Sequence, residues 1–261
     1  MSSPVLRIFS YLPNPRVWKA LIAADHLGVT VEVIGDKPQN LGNWLWDFDA
    51  RELQAEEKTA DSPHARVSRR GFSGTLYKTD AFMLTQPYGT VPAAFSPDGA
   101  VGIFESNSIL RAVARSAQAE HSLYGRNSMD ASRIDSFLDA TLVFGREAQV
   151  YLLGMDAMSH ELHQRMSGAF DFFAQGVENA LMNHDFIASD ELTIADIAFV
   201  CDVSQFLRER LMSSALEAQS LPMVSEGAVQ AFPRTFAHLL ALIEKPLFQK
   251  YLGEYTKHLK A

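Results

Sequence analysis

Cysteine is almost absent from this chain. Cys201 is the only one in 261 residues, which excludes an internal disulfide framework and any multi-cysteine metal site. That thiol lies within the apolar stretch AFVCDVSQF, where a small buried side chain is expected rather than a nucleophile. Basic residues are also short, with 23 Lys and Arg against 31 Asp and Glu and a net charge of -8. General attraction to phosphate backbones or anionic lipid is therefore not expected, nor is nucleic-acid binding. No apolar run approaches the roughly 20 residues that cross a bilayer. The first residues lead into a strand-like segment, with neither a basic nor an apolar leader before it, so a cytoplasmic protein with no membrane partner is expected. His160 and His163 share a helix face but lack a third spaced ligand, so no metal is expected.

What is present is an ordinary folding composition, 47% hydrophobic and 21% charged, with no segment depleted enough in apolar residues to stay unfolded. VLRIFSY alternates as a half-buried strand does, and LPNP after it is a turn signal. RVWKALIAADHLG then carries apolar residues at helical spacing and stops on Gly28, and VTVEVIG reads as a second strand. This is β-α-β at the length of a parallel crossover. The pattern decays over residues 40–78, which read as an inserted loop containing Trp44, Trp46 and Phe48 and several charges. Regularity returns with a short helix, a strand over 92–95, a turn at Pro97-Asp98-Gly99, a strand ending at Phe104 and a helix from Ser106.

Beyond residue 117 the segments carry helical periodicity and no strand alternation. Helices are predicted over 128–153, 159–182, 194–211, 232–243 and 247–255, and Thr193 with Asp196 reads as a capping box. The expectation is an α/β domain over 1–117 and an all-helical domain over 127–261.

Three segments bring a resemblance into view: GTVPAAF at 89–95, FESNSIL at 104–110 and LTIADIAFV at 192–200. In this element order they resemble the glutathione S-transferase superfamily, whose fold joins a thioredoxin-like α/β N-terminal domain to an all-α C-terminal domain. WKALIAADHLG, FESN, TIADIAFVC and FPRTF…KPLFQKYLGE are further similar to the transferase-like domain of the elongation-factor complex gamma subunit. PRVWKALIAADHLG also loosely resembles bacterial β-etherases.

The resemblance implies a glutathione site along residues 91–106. Val91, before a cis Pro92, would pair its backbone with the tripeptide's cysteine. Glu105 would receive the α-amino group and Ser106 the γ-glutamyl carboxylate, assisted by Asn107; from the residues alone, Ser106 also reads as a plain helix start. A donor at the turn before the first helix must lower the thiol pKa from about 8.5. Leu12 falls on the position of the catalytic Ser or Thr and cannot donate, so Asn14 is the first choice, with Tyr11 and Ser10 as alternates. Asn14 reads equally as a helix cap. The family's Lys before Val-Pro is replaced by Thr90, leaving Gln39, Asn40, or Arg66, Arg69 and Arg70, to reach the glycine carboxylate. Trp44, with Phe144, Tyr151 and Phe206 from the helical domain, would line an aromatic-substrate pocket, although each also reads as core.

Two functions follow as expectations. The first is a glutathione-dependent transferase acting on an electrophilic, aromatic substrate, with aryl-ether cleavage as one option. The second is a non-catalytic interaction module of the elongation-factor gamma type. The gamma subunit continues past this domain whereas the sequence ends at Ala261, which favours a free-standing enzyme. A homodimer is expected, with a heterodimer as the alternative.

Overall fold

The computed structural model describes residues 3–68 and 71–259. The chain divides into two compact units, Met1–Ala117 and Gln118–Ala261.

In the first unit, β1 (Leu6–Tyr11) runs parallel to β2 (Val31–Asp36) from Leu6 opposite Val31 to Tyr11 opposite Asp36. The crossover between them is α1 (Pro15–Leu27), capped by Asn14 and begun by Pro15, which needs no amide donor there. It ends at Gly28 in the left-handed conformation, φ 67°, which a side chain would disfavour. Gly35 is required by contact: a Cβ there would lie 1.7 Å from the Ser10 carbonyl oxygen.

Residues 40–78 are not a structureless loop, and that expectation is corrected. After a 3-10 turn over Pro38–Asn43 come β3 (Trp44–Trp46), β4 (Arg51–Glu52), β5 (Ala65–Val67) and β6 (Thr75–Lys78), paired in the order β4-β3-β6-β5. Strands of two to four residues show no readable alternation among so many turn formers. The sheet is anchored by burial. Trp46 is fully enclosed, donates its indole N–H to the Leu41 carbonyl at 3.0 Å and packs edge-on against Phe9 and Phe82. Next come α2 (Asp80–Thr85), β7 (Ala93–Phe95), β8 (Gly102–Phe104) and α3 (Ser106–Ser116). The first sheet is thus β2-β1-β7-β8, mixed, with β1 inside it.

The second unit contains α4 (Ser128–Leu153), α5 (His160–Ala180), α6 (Ile194–Phe206), α7 (Ser213–Glu217), α8 (Ala228–Ala231), α9 (Pro233–Ile243) and α10 (Pro246–Leu252). Helix α6 stops at Phe206, where the predicted helix to 211 tightens to 3-10 geometry over Leu207–Met212. All of α6 except Gln205 is buried, as expected of the central helix of a bundle. Its capping box is present: Thr193 and Asp196 exchange bonds, and Asp196 also accepts from the Ile187 N–H and from His238. Cys201 is buried. None of the described helices is long and apolar enough to cross a membrane.

A second buried carboxylate organises the start of α9. Glu178 of α5 accepts from the Arg234 and Thr235 N–H groups at 3.2 and 2.8 Å and from the Thr235 hydroxyl at 3.0 Å. Burial pushes its carboxyl upward, but these hydrogen bonds outweigh burial and hold it below the ordinary carboxylate value. A carboxylate depressed by folding contributes stability above its unfolded pKa, and that contribution is lost as pH falls through the folded value. Glu178→Ala should therefore cost about 1–3 kcal/mol at neutral pH. It should also flatten the acid limb of the stability curve, as chemical denaturation between neutral and strongly acidic pH would read.

Candidate functional site at one end of the first sheet

The register decides which residues meet. Phe9 pairs with Ala93, and Ala93 with Phe104, in antiparallel ladders, while Tyr11 lies beside Asp36. Strands β1, β2 and β8 therefore finish, and β7 begins, at the same end of the sheet. Tyr11, the turn holding Gln39 and Asn40, Val91, and Glu105 to Asn107 are gathered there by topology from four separate stretches of chain.

Val91 is half-buried and its bond to Pro92 is cis. Among the described residues, neither its N–H nor its C=O has a hydrogen-bond partner. Glu105 is exposed and sits at φ 65°, ψ 127°, an unusual conformation for a residue with a side chain, costing on the order of 1–3 kcal/mol. It is the residue before α3, and its carbonyl starts that helix by accepting from Ile109 at 3.0 Å. Ser106 and Asn107 form the buried first turn, where helix N–H groups and the dipole favour an anion.

The candidate thiol-activating groups separate clearly. Asn14 and Ser10 are both 0% exposed. The Asn14 amide donates to the Ser10 hydroxyl at 3.1 Å, and its oxygen accepts from the Arg16 N–H at 3.0 Å. The Asn14 oxygen caps α1, its amide is bonded to the end of β1 and its side chain is fully buried, so its expected place facing a ligand is corrected. Ser10 is sealed with it. Tyr11 remains: partly exposed, it lies near Phe72 with ring centroids 6.5 Å apart, and its hydroxyl has no hydrogen-bond partner among the described residues. Burial raises the Tyr11 pKa and the Arg16 charge opposes the shift, so the phenol stays protonated near neutrality.

Gln39 is exposed in the turn after β2. Asn40 is committed to Asp36, donating at 3.0 Å. The Lys37 N–H and Asn40 together hold the Asp36 carboxyl below its ordinary value. Arg66 is held by Asp80 at 2.8 Å and by the carbonyls of Pro63 and Ala65, so it is spent within the inserted sheet. Arg69 and Arg70 lie outside the described residues.

Sequence reasoning passed over two lysines. Lys78, at the end of β6, donates to the Gly89 carbonyl at 2.6 Å and lies 4.6 Å from the centre of the Trp46 ring. Burial and the Arg66 charge lower its pKa. It brings a cation two residues before Val91, and nothing in its local sequence marks it. Lys19 of α1 is buried, and its ammonium donates to the Ser106 hydroxyl at 3.2 Å and to the Asn107 side-chain oxygen at 2.9 Å. Its signal was legible, for it falls at helical spacing on the apolar stripe of Pro15, Ile22 and Ala23.

The residues expected to line an aromatic pocket are each packed within their own unit. Phe144, Tyr151 and Phe206 are 2%, 0% and 0% exposed and belong to the core of the helical unit. Phe144 stacks on Phe173 at 4.4 Å and meets Phe206 edge-on, while the Tyr151 hydroxyl is bound to the buried Glu209 at 3.0 Å. Trp44 is half-buried in the first unit, 6.0 Å from Phe9, and packs on the same cluster as Tyr11, Phe72 and Val91. A cleft of about 370 Å³, lined by Leu45, Glu57, Asp61, His64 and Tyr77 among others, contains none of the predicted site residues.

This architecture recurs among solved structures. A glutathione S-transferase from Methylobacillus flagellatus with glutathione bound superposes with a TM-score of 0.61 at 12% identity, covering 94% of this chain and 98% of that one. Drosophila melanogaster isozyme E7 gives 0.64 at 17%, covering 98% and 94%. A Phanerochaete chrysosporium glutathione transferase with oxidized glutathione gives 0.64 at 15%, covering 100% and 99%. The chain has the glutathione transferase fold. By sequence it is similar to elongation factor 1-gamma 2 of Oryza sativa subsp. japonica, 24% identical over 245 residues, covering 92% of this chain and 47% of the relative. The elongation factor 1-gamma of Mus musculus is 25% identical over 251 residues, covering 95% and 46%. The resemblance in the motifs is thus met in both comparisons, and the chain spans about half the length of the curated relatives it matches. No family model matches.

Within this transferase fold, Asn14 is a structural clamp. Asn14→Ala should cost about 1–2 kcal/mol. Asn14→Ser, which keeps a capping oxygen and gives up the bond to Ser10, should cost less; thermal denaturation of the two variants checks the order.

Proposed function

We propose that the chain binds glutathione at this end of its first sheet and activates the thiol for attack on an electrophile. The observation that carries the reading is the convergence of Val91, with an unpaired backbone, the anion-favouring start of α3 and the unpartnered Tyr11 hydroxyl on one sheet end. The Val91 N–H and C=O would pair with the cysteinyl backbone. The Ser106 hydroxyl and first-turn N–H groups would take the γ-glutamyl carboxylate, with Asn107 backing the turn, and the exposed Glu105 carboxylate the α-amino group. Lys78 supplies the cation for the glycine carboxylate that Thr90 does not, with Gln39 as a further donor. Pro92 shapes the edge.

Tyr11 takes the catalytic role in place of Asn14 and Ser10. A phenol kept protonated near neutrality can donate a hydrogen bond to the thiolate and stabilise it over the thiol. The thiolate then forms the carbon–sulfur bond as the leaving group departs with the bonding electron pair. Trp44 and Phe72, near Tyr11, suit an aromatic electrophile. Aryl-ether cleavage is the narrowest version of the activity, and it rests on the residues 15–28 segment alone. The setting would be cytoplasmic and the assembly a dimer, homomeric or with a second chain.

A second reading is favoured by the elongation factor 1-gamma names of the relatives and by Leu12 at the expected hydroxyl position. In it the fold serves assembly and performs no chemistry. The two are separated by calorimetric titration with glutathione, followed by ultraviolet titration of the bound thiol. The enzyme reading expects binding with a bound-thiol pKa below about 8.5, and Tyr11→Phe should raise that pKa and lower turnover by about 100-fold. Binding with an unshifted thiol supports the assembly module. Lys78→Met should weaken glutathione binding by about tenfold, with turnover of bound substrate unchanged.

A further inference from the structure

The inserted sheet has two faces, and one of them belongs to the core of the first unit. Trp44, Trp46 and Leu76 pack in the cluster that holds Phe9, and the Lys78 ammonium lies over the Trp46 ring. Side chains alternate along a strand, so Leu45 of β3 and Tyr77 of β6 take the opposite face. They are partners in the parallel pairing of those two strands. A sheet face turned away from the core ordinarily carries polar residues. Here it carries a leucine and a tyrosine, and residues 53–64 wall it to leave the cleft of about 370 Å³.

That wall is fastened at both ends. The Leu53 N–H donates to the Asn43 carbonyl at 2.8 Å, and the His64 carbonyl accepts from the Lys78 N–H at 2.8 Å. Between them a capping box of Gln54 and Glu57 fixes the turn. The cleft is of a size that holds a small organic molecule. Leu45, Leu53 and Pro63 make part of its lining apolar. Tyr77 is 7% exposed, yet its hydroxyl has no hydrogen-bond partner among the described residues. An enclosed phenol costs free energy unless water or a ligand supplies that bond. Of the two carboxylates in the lining, Glu57 is paired with Arg51 at 2.9 and 2.6 Å. Asp61 makes no ion pair among the described residues, and the neighbouring Lys58 donates instead to Asn43 at 3.1 Å. The Thr59 hydroxyl and a backbone N–H hold the Asp61 carboxyl below its ordinary value, so it is ionised near neutrality.

We propose that this cleft is a second ligand site for a small amine, whose apolar body lies on Leu45, Leu53 and Tyr77 and whose ammonium meets the Asp61 carboxylate. The Tyr77 hydroxyl supplies a further polar contact. An apolar floor with one unpaired negative charge selects a cation over a neutral molecule of the same shape and rejects an anion. None of the residues assigned to glutathione lines the cleft, so this site stands or falls apart from that reading.

The test uses three probes of one shape, 2-phenylethylamine, 2-phenylethanol and phenylacetate. They are titrated into the full chain at about pH 8, where an aliphatic ammonium is charged and an ordinary histidine is neutral. Dissociation constants are measured for the wild type, Asp61→Asn, Tyr77→Phe and Leu45→Arg, with thermal denaturation confirming the folded state of each. The wild type should bind the amine about tenfold more tightly than the alcohol, with the carboxylate weakest. Asp61→Asn should lose that preference by weakening the amine alone. Tyr77→Phe should weaken the amine about fivefold, and Leu45→Arg, which sets a long cation on the floor, should abolish its binding. Asp61 is exposed, so its variant reports even where Leu45→Arg does not fold. A wild type that does not bind the amine, or an undiminished preference in Asp61→Asn, overturns the site. So does an amine affinity unchanged in both Tyr77→Phe and Leu45→Arg.

Discussion

The site depends on how Asn14 ties the end of β1 to the beginning of α1. Its amide holds the Ser10 hydroxyl, its oxygen caps the Arg16 N–H, and its carbonyl accepts from Val17 and Trp18. The intervening turn is pinned from the other side, where the Leu12 N–H donates to the Asp36 carbonyl at 2.8 Å. Because β1 lies inside the sheet, fixing its end fixes the neighbours on both flanks. The direction of α1 follows from the same clamp, and with it the reach of Lys19 to Ser106 and Asn107. One buried amide thus sets the position of Tyr11 and, through α1, the electrostatics at the start of α3.

Parts of this arrangement were legible because the signals were local. The β-α-β opening, Gly28 as a stop, the boundary after residue 117 and the Thr193–Asp196 box each follow from periodicity or capping chemistry within a few residues. The inserted sheet was not legible, since its strands are held by Trp46 burial against Phe9 and Phe82, which lie far from it in sequence. The same limit governs the site. Sequence puts Asn14 first and Tyr11 and Ser10 after it, and only burial tells the helix cap and the hydroxyl bonded to it from the tyrosine whose hydroxyl is left unpartnered among the described residues. Phe144, Tyr151 and Phe206 fail as pocket residues for a related reason: helical periodicity identifies a buried face without saying whether core or ligand covers it. Lys19 shows the reverse case. A charge on an apolar stripe conflicts with local pattern, and such conflicts gather where function is placed.

The overall charge of -8 bears on how an anionic peptide would be held. At physiological ionic strength the Debye length is about 8 Å, so the net charge contributes little beyond the first contacts. Recognition of such a peptide would have to come from groups within hydrogen-bond reach, and the buried Lys19 and half-buried Lys78 are cations of that kind in an acidic chain. Burial removes the screening that would make exposed cations weak partners.

Binding and chemistry place different demands on that sheet end. The backbone of Val91, the first turn of α3 and the exposed Glu105 would, on the glutathione reading, recognise a peptide without acting on its thiol, and they would serve an assembly module and an enzyme equally well. Stabilising a thiolate requires one further group, a donor that is accessible, protonated and not already spent on the fold. Asn14 and Ser10 are spent and Leu12 has nothing to donate. Arg16, two residues past Asn14, opposes the burial that keeps the Tyr11 phenol protonated, and of the side-chain hydroxyls at this turn the Tyr11 hydroxyl belongs to the residue that is not fully buried. On the glutathione reading, the difference between the two functions would therefore reduce to one oxygen atom at the end of β1.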